Sequence, residues 1–182
     1  MRHREKILIL GLGMVSLLLL VGRSPASVRS LETGAFAVEH TVTLPASPEV
    51  VYDAITGDIS QWWDHSFSGR PARFYVEAKP GGGFYEIFDE SGDGVKHATV
   101  IYAHRGKLLR FEGPLGFSGK ALLAVTTYEF EEVEPGVTRL KVTVRASGEM
   151  EAGWADAVDR VWHHFIIERF QPYLESGGHR DR

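Results

Sequence analysis

From Phe36 to Leu44 apolar and polar residues alternate, with Val38, His40, Val42 and Leu44 set against Glu39, Thr41 and Thr43. A period of two predicts a strand with one buried face. The pattern breaks at "PASPEV". Ser47 suits an N-cap and Pro48 the first helical position, so "SPEVVYDAITG" reads as a short helix closed by Gly57. Val51, Ala54 and Ile55 share one of its faces. "DISQWWDHSF" reads as a second short helical turn opening at Asp58. Up to about Gly148 the chain then reads as strands: "ARFYVEA", "GFYEIFD", "VKHATVIYA", "KLLRFEG", "ALLAVTTYEFEEV" and "VTRLKVTVRA", each bounded by turn residues. In the last, Leu140, Val142 and Val144 alternate with Arg139, Lys141, Thr143 and Arg145. One dry and one wet face suits an antiparallel sheet. Pairing with the preceding strand across Pro135-Gly136 would set acidic rows near basic ones.

The final element is "WADAVDRVWHHFIIERFQPYLE". At about 100° per residue, Trp154, Val158, Val161, Trp162, Phe165, Ile166, Arg169 and Tyr173 fall on one side. This predicts a long amphipathic helix, bent or ended near Pro172. The residues after it, 177–182, are expected to be disordered. The order of elements implies an α+β domain in which a curved antiparallel sheet is covered on its concave face by that helix.

The N-terminus follows different rules. Arg2, Arg4 and Lys6 precede the uncharged run "ILILGLGMVSLLLLV", and Ser24 and Ala26 supply small residues at a cleavage position. This is the layout of a secretory signal peptide over residues 1–26. The run is shorter than the roughly 20 residues of a membrane span, though Arg23 close to the cut leaves an uncleaved anchor open. An exported protein, periplasmic or secreted, is expected, with residues 27–35 as a tether and the domain over 36–176.

The full chain of 182 residues has a net charge of −4. Residues 1–26 hold four of the 20 basic and one of the 24 acidic residues, so the remainder stands at −7. Such a domain is a poor nucleic-acid binder and is repelled by anionic lipid, leaving the N-terminal anchor as the one expected membrane contact. There is no cysteine, which excludes disulfides, thiolate metal sites and a cysteine nucleophile.

"KPGGGFYEIF" places three glycines after a lysine. A phosphate loop would need a helix directly after them, but strand-forming residues follow, and neither a Walker ending nor GxGxxG is present. The glycines are read as a hairpin turn.

Taken together, "SPEVVYDAITGDISQWW", the "GGGF" hairpin, "ATVIYAHRGKLLRFEGPLG", "TTYEFEEVEPGVTRLKVTVRASG" and the Trp-bearing last helix resemble the SRPBCC, or START-like, superfamily. Within it the chain is similar to the heat-shock-protein-90 ATPase activator homologues and polyketide-cyclase-like proteins. Tyr52 stands where many members carry Trp. The resemblance implies a helix-grip fold enclosing an elongated, mostly apolar cavity, and these motifs mark the fold more than the function.

Trp62, Trp63, Phe67, Phe84, Trp154, Val158, Trp162 and Phe165 are candidates to line such a cavity, or else to pack as ordinary core. Glu86 lies between Phe84 and Phe88. Facing inward it would carry a raised pKa and serve as an acid or base; otherwise Tyr85 and Ile87 face inward. Arg169 would meet a ligand's anionic head group, or snorkel to water. No metal site is expected: His163 and His164 diverge on a helix, and His65, His97 and His104 lie in separate elements. Ser60, His65 and Asp64 lack a GxSxG elbow. The reading is an exported carrier of an apolar or amphipathic small molecule, without cofactor. The alternatives are a cyclase- or hydrolase-type enzyme, with Glu86 and His97 as first candidates, or a chaperone-ATPase co-factor.

Overall fold

The structure, a computed structural model, describes residues 27–180. The signal or anchor segment therefore lies outside the described residues. Eight strands form one sheet in the order β1-β8-β7-β6-β5-β4-β3-β2. They are β1 (Thr33–Leu44), β2 (Gly57–Asp58), β3 (Arg73–Val76), β4 (Gly83–Ile87), β5 (Gly94–His104), β6 (Leu108–Gly113), β7 (Leu122–Glu134) and β8 (Val137–Glu149). Every neighbouring pair is antiparallel. The seven strands expected from alternation are present. β1 begins at Thr33, so the tether ends before residue 35, because Thr33 to Ala35 already pair with Glu149 to Ser147.

β2 is the departure. Instead of opening a second helix, Gly57 and Asp58 pair with Val76 and Tyr75. Gly57 has φ 69°, which takes the chain out of the helical region after α1 (Pro48–Ile55). Asp58 Oδ1 then accepts the N–H of Ser60 at 2.9 Å, a local bond that favours a turn over a helix. What remains helical is a single turn, in which Trp62 and Trp63 donate N–H to Ile59 O.

The glycine-rich corner is a tight turn. Gly82 N–H bonds Lys79 O at 2.8 Å, Pro80 sits second and Gly81 third with φ 82°. This is a type II turn, which needs a positive φ at its third residue. At the other hairpin, Glu129 faces Lys141 and Glu131 faces Arg139, as the charge alternation of β7 and β8 predicts. Register shifts at Phe84/Tyr85 and Val100/Tyr102 mark β-bulges, which bend the sheet.

The C-terminal helix runs as α2 (Trp154–His163), a π-helical stretch His164–Phe170, and α3 (Gln171–Glu175). A π turn takes one more residue than an α turn. The inward stripe therefore shifts by one position. Val158, Trp162, Phe165 and Ile166 are followed by buried Phe170 and Leu174, not by Arg169 and Tyr173. Pro172 does not end the helix, because it falls in the first turn of α3, where its missing N–H costs little. Nor are residues 177–180 disordered. Gly177, at φ 82°, closes α3, and Gly178–Arg180 form a 3-10 turn with Arg180 N–H on Gly177 O.

The core lies between sheet and helix. Trp62, 1% exposed, packs on Phe170 with ring centroids 5.0 Å apart and donates Nε1–H to Ala54 O at 3.2 Å. Each such large side chain contributes about 1.5–3 kcal/mol by leaving water. Among the described residues no helix is long and apolar enough to cross a membrane.

Candidate ligand cavity

A cavity of about 340 Å³ opens between the sheet and the C-terminal helix. A row of small residues across the strands leaves this space. Ala146 faces Ala124, Ala124 faces Gly113, and the row is bounded by Phe36 opposite Ala146 and by Phe84 opposite Ala98. On a pleated sheet, residues directly opposite share a face. Four adjacent strands thus present almost no side-chain volume where the helix passes over them. Ala157, Val158, Val161, Trp162 and Phe165 form the helix side of the space.

The segment after the Ile59–Trp63 turn makes one wall. Trp63 stacks on Phe165 at 3.7 Å and meets Phe84 edge-on at 4.9 Å. Phe67 stacks on His97 at 5.4 Å yet is 51% exposed, which places it at the rim. The opposite wall is the 3-10 turn Leu115–Phe117. Leu115 has φ 49°, and among the described residues it is the one non-glycine side chain in that region.

The lining is apolar apart from a polar end at His97, His65 and Ser66. Behind it, Glu86 is fully buried. One carboxylate oxygen accepts Ser66 Oγ–H at 2.6 Å, Ser68 N–H at 3.0 Å and Ser68 Oγ–H at 3.0 Å. The other accepts Phe67 N–H at 3.0 Å and lies 3.2 Å from His97 Nε2. Burial alone would raise the pKa of Glu86, but the bonds from Ser66, Phe67 and Ser68 outweigh it and hold the carboxyl below its ordinary value. The inward-facing Glu86 therefore does not have the raised pKa expected of a carboxylate among aromatics. It is an anion that clamps residues 66–68 into the cavity wall. His97 is shifted down by burial, against the opposing pull of its bonds to the Leu115 backbone and Glu86. It is neutral near pH 7 and lines the cavity between the rings of Phe67 and Phe84.

Residues 45–175 match the family model described as "Activator of Hsp90 ATPase homolog 1-like protein". The chain belongs to this family. No curated protein matches it in sequence. Solved structures of like fold include a Staphylococcus aureus protein of unknown function, at 18% identity and TM-score 0.63, covering 81% of this chain and 98% of the other. A protein of the dynemicin biosynthetic locus shares 20% identity at TM-score 0.52, over 78% of this chain and 48% of its own. An HSP90 activator from Plasmodium falciparum shares 19% at TM-score 0.51, over 77% and 94%. At these identities the likeness is one of fold, and the fold is the helix-grip arrangement.

In this member of the Hsp90-activator-like family, Trp63, Phe67, Phe84, Val158, Trp162 and Phe165 come together around the cavity. Four other candidates do not line it. Trp62 is core. Trp154 packs at the helix start against Phe117, 4.7 Å away, with Lys120 Nζ 5.4 Å from its ring. Glu86 is one shell behind His97. Arg169, displaced by the π turn, is half-exposed and binds Asp64 Oδ2 at 3.0 Å, outside the cavity. Ser60 is tied to the Phe74 backbone, so Asp64 and His65 gain no serine partner from it. The residues that composition could not single out are Ala124 and Ala146, since alanine on a strand's dry face reads as plain core. His65 also departs from expectation: the turn at Ile59–Trp63 carries it against the C-terminal helix, 5.3 Å from the ring of His164.

Proposed function

We propose that this protein binds a small apolar or amphipathic molecule between sheet and helix. The observation that carries this reading is the cavity itself, about 340 Å³ with apolar walls and a polar end confined to His97, His65 and Ser66. Its volume falls at the small end of the roughly 300–1,000 Å³ of ordinary ligand sites. A ligand of fused-ring or short-chain size, with one polar group directed at His97, would fit it. The aromatic walls give area-proportional affinity at low entropic cost, because Trp63 and Phe165 already hold each other in place. With the secretory pattern of residues 1–26, the binding would take place outside the cytoplasm, free or tethered.

Native mass spectrometry of the gently purified protein tests this. A reproducible extra mass that is lost on denaturation supports the carrier reading. A clean apo mass, with no quenching of tryptophan fluorescence by a panel of apolar probes, refutes it.

A second reading is favoured by one observation. His97 lines the cavity and its Nε2 is held by the Glu86 carboxylate, so a ligand that takes the place of the Leu115 backbone at the other ring nitrogen would meet an oriented base. On that reading the protein turns over an enolisable or hydrolysable ligand, and His97→Gln abolishes turnover while binding persists. Assistance to a chaperone ATPase, suggested by the family's name, has no comparable support from the cavity.

A further inference from the structure

Beside the cavity's polar end, and sharing His65 with it, three potential metal ligands converge at the rim. Asp64 Oδ1 lies 2.9 Å from His65 Nδ1 and 3.0 Å from His164 Nε2. The ligand atoms of Asp64, His65 and His164 all lie within 4.8 Å of one another. An ion bound at about 2.0–2.1 Å in tetrahedral geometry holds its ligands roughly 3.4 Å apart. The two Asp64–His contacts, at 2.9 and 3.0 Å, are within about half an ångström of that spacing, and His65, with a half-exposed ring, has room to adjust by rotation.

The surroundings favour an ion. Glu168 Oε2 lies 2.9 Å from His164 Nδ1, and both Asp64 oxygens lie 3.0 Å from its Nε2, so each ring nitrogen faces a carboxylate. A lone pair facing a carboxylate oxygen is repelled unless a cation lies between them, whether a proton or a metal ion. A carboxylate on the far nitrogen of a ligating imidazole is also the usual outer partner of a zinc-bound histidine. The charge agrees. Asp64 and Glu168 supply two negative charges, and Arg169 returns one positive charge by engaging Asp64 Oδ2, which leaves Oδ1 available. His163 Nδ1 approaches Glu168 Oε1 at 3.5 Å, but its ring points away toward His40.

We propose that Asp64, His65 and His164 bind one late first-row divalent ion of the zinc class, with Glu168 as a positioning residue. Two imidazoles and one carboxylate suit zinc, cobalt, nickel or iron(II), and disfavour magnesium and calcium, which prefer oxygen-only shells. Three protein ligands leave a position open, as in catalytic rather than structural zinc sites. Because His65 also lines the cavity, that open position lies at its rim. The site does not depend on the cavity's carrying a ligand.

The test is titration of the full chain, stripped by chelator, with zinc(II) by calorimetry and with cobalt(II) by visible absorption. The expected result is one ion per chain, with cobalt bands of imidazole coordination and no competition from magnesium. His65→Gln and His164→Gln should each weaken zinc binding by about 100-fold or more, and Glu168→Gln by about 10-fold, within the range known for outer partners. His163→Gln and His97→Gln should leave the affinity unchanged. Thermal unfolding of each variant separates loss of the site from loss of the fold, and the half-exposed His65 keeps the test usable if His164→Gln unfolds. Absence of saturable binding overturns the proposal, leaving Asp64 the centre of a hydrogen-bonded network. So does an affinity that survives the His65→Gln, His164→Gln double variant.

Discussion

Ala124 and Ala146 stand directly opposite each other on β7 and β8, beneath the C-terminal helix. Their missing side chains make the cavity. Ala124→Leu or Ala146→Leu should therefore fill it. Overpacking a tight core costs about 1–3 kcal/mol, but here the added carbons enter existing space, so stability should move by less than about 1 kcal/mol in either direction. Affinity for any cavity ligand should fall by at least about 100-fold, or roughly 2.7 kcal/mol. Thermal melts and fluorescence titration of the same samples check both. A large loss of stability would mean that the space is not open in solution.

The neighbours Trp62 and Trp63 show how far the sequence could be read. Both were visible as aromatics after the first helix, and alternation along β1 and β3–β8 fixed the sheet, its charge rows and the helix above it. Which tryptophan faces the cavity depends on the single turn at Ile59–Trp63 and on Gly57 joining β2, neither of which has a periodic signal. The π stretch is equally silent in sequence and moved Arg169 off the apolar stripe. Strand alternation leaves open which face Glu86 takes, and the four donors that hold it inward come from a loop about 20 residues away, which no local pattern reveals.

Trp62→Ala should accordingly destabilise the fold by about 3–5 kcal/mol, the usual cost of emptying a large core site. Trp63→Phe should preserve the fold and reduce the ligand-dependent quenching of tryptophan fluorescence, leaving the part that comes from Trp162. Trp62→Phe should retain that quenching. Emission spectra of the two single variants, with and without an apolar probe, distinguish wall from core.

His97 and Glu86 set an acid sensitivity in two steps. Both have folded pKa values below their unfolded ones, His97 through burial and Glu86 because its hydrogen bonds outweigh burial. In each case the unfolded state binds more protons as pH falls, so stability rises with pH and is lost on acidification. For His97 the loss begins below its unfolded pKa of about 6.5, and for Glu86 below about 4.3. Relative to the parent, His97→Gln should flatten the melting temperature as the pH falls below about 6.5, and Glu86→Gln should flatten it only in the more acid range. Near neutral pH, Glu86→Gln should also cost about 1–3 kcal/mol, because the part-buried donors of residues 66–68 lose the buried anion they share. Hydrogen exchange at Phe67 and Ser68 should accelerate with it.

Leu115 places an apolar side chain in the cavity wall from a backbone that disfavours it. A non-glycine residue held in the left-handed region costs about 1–3 kcal/mol and persists where its surroundings require it. Here the requirement is double, since the Leu115 side chain lines the cavity and its backbone hydrogen-bonds His97. Leu115→Gly removes the strain and the wall together, so the stability change should be within about 1 kcal/mol of zero while ligand dissociation accelerates. Leu115→Asn relieves part of the strain, because asparagine tolerates this region, but it presents an amide to an apolar ligand. It should be no more stable than Leu115→Gly and bind more weakly than the parent. If neither substitution alters dissociation of a cavity ligand in stopped-flow traces, the 115–117 turn is not part of the ligand's enclosure, and entry must lie on the Phe67 side.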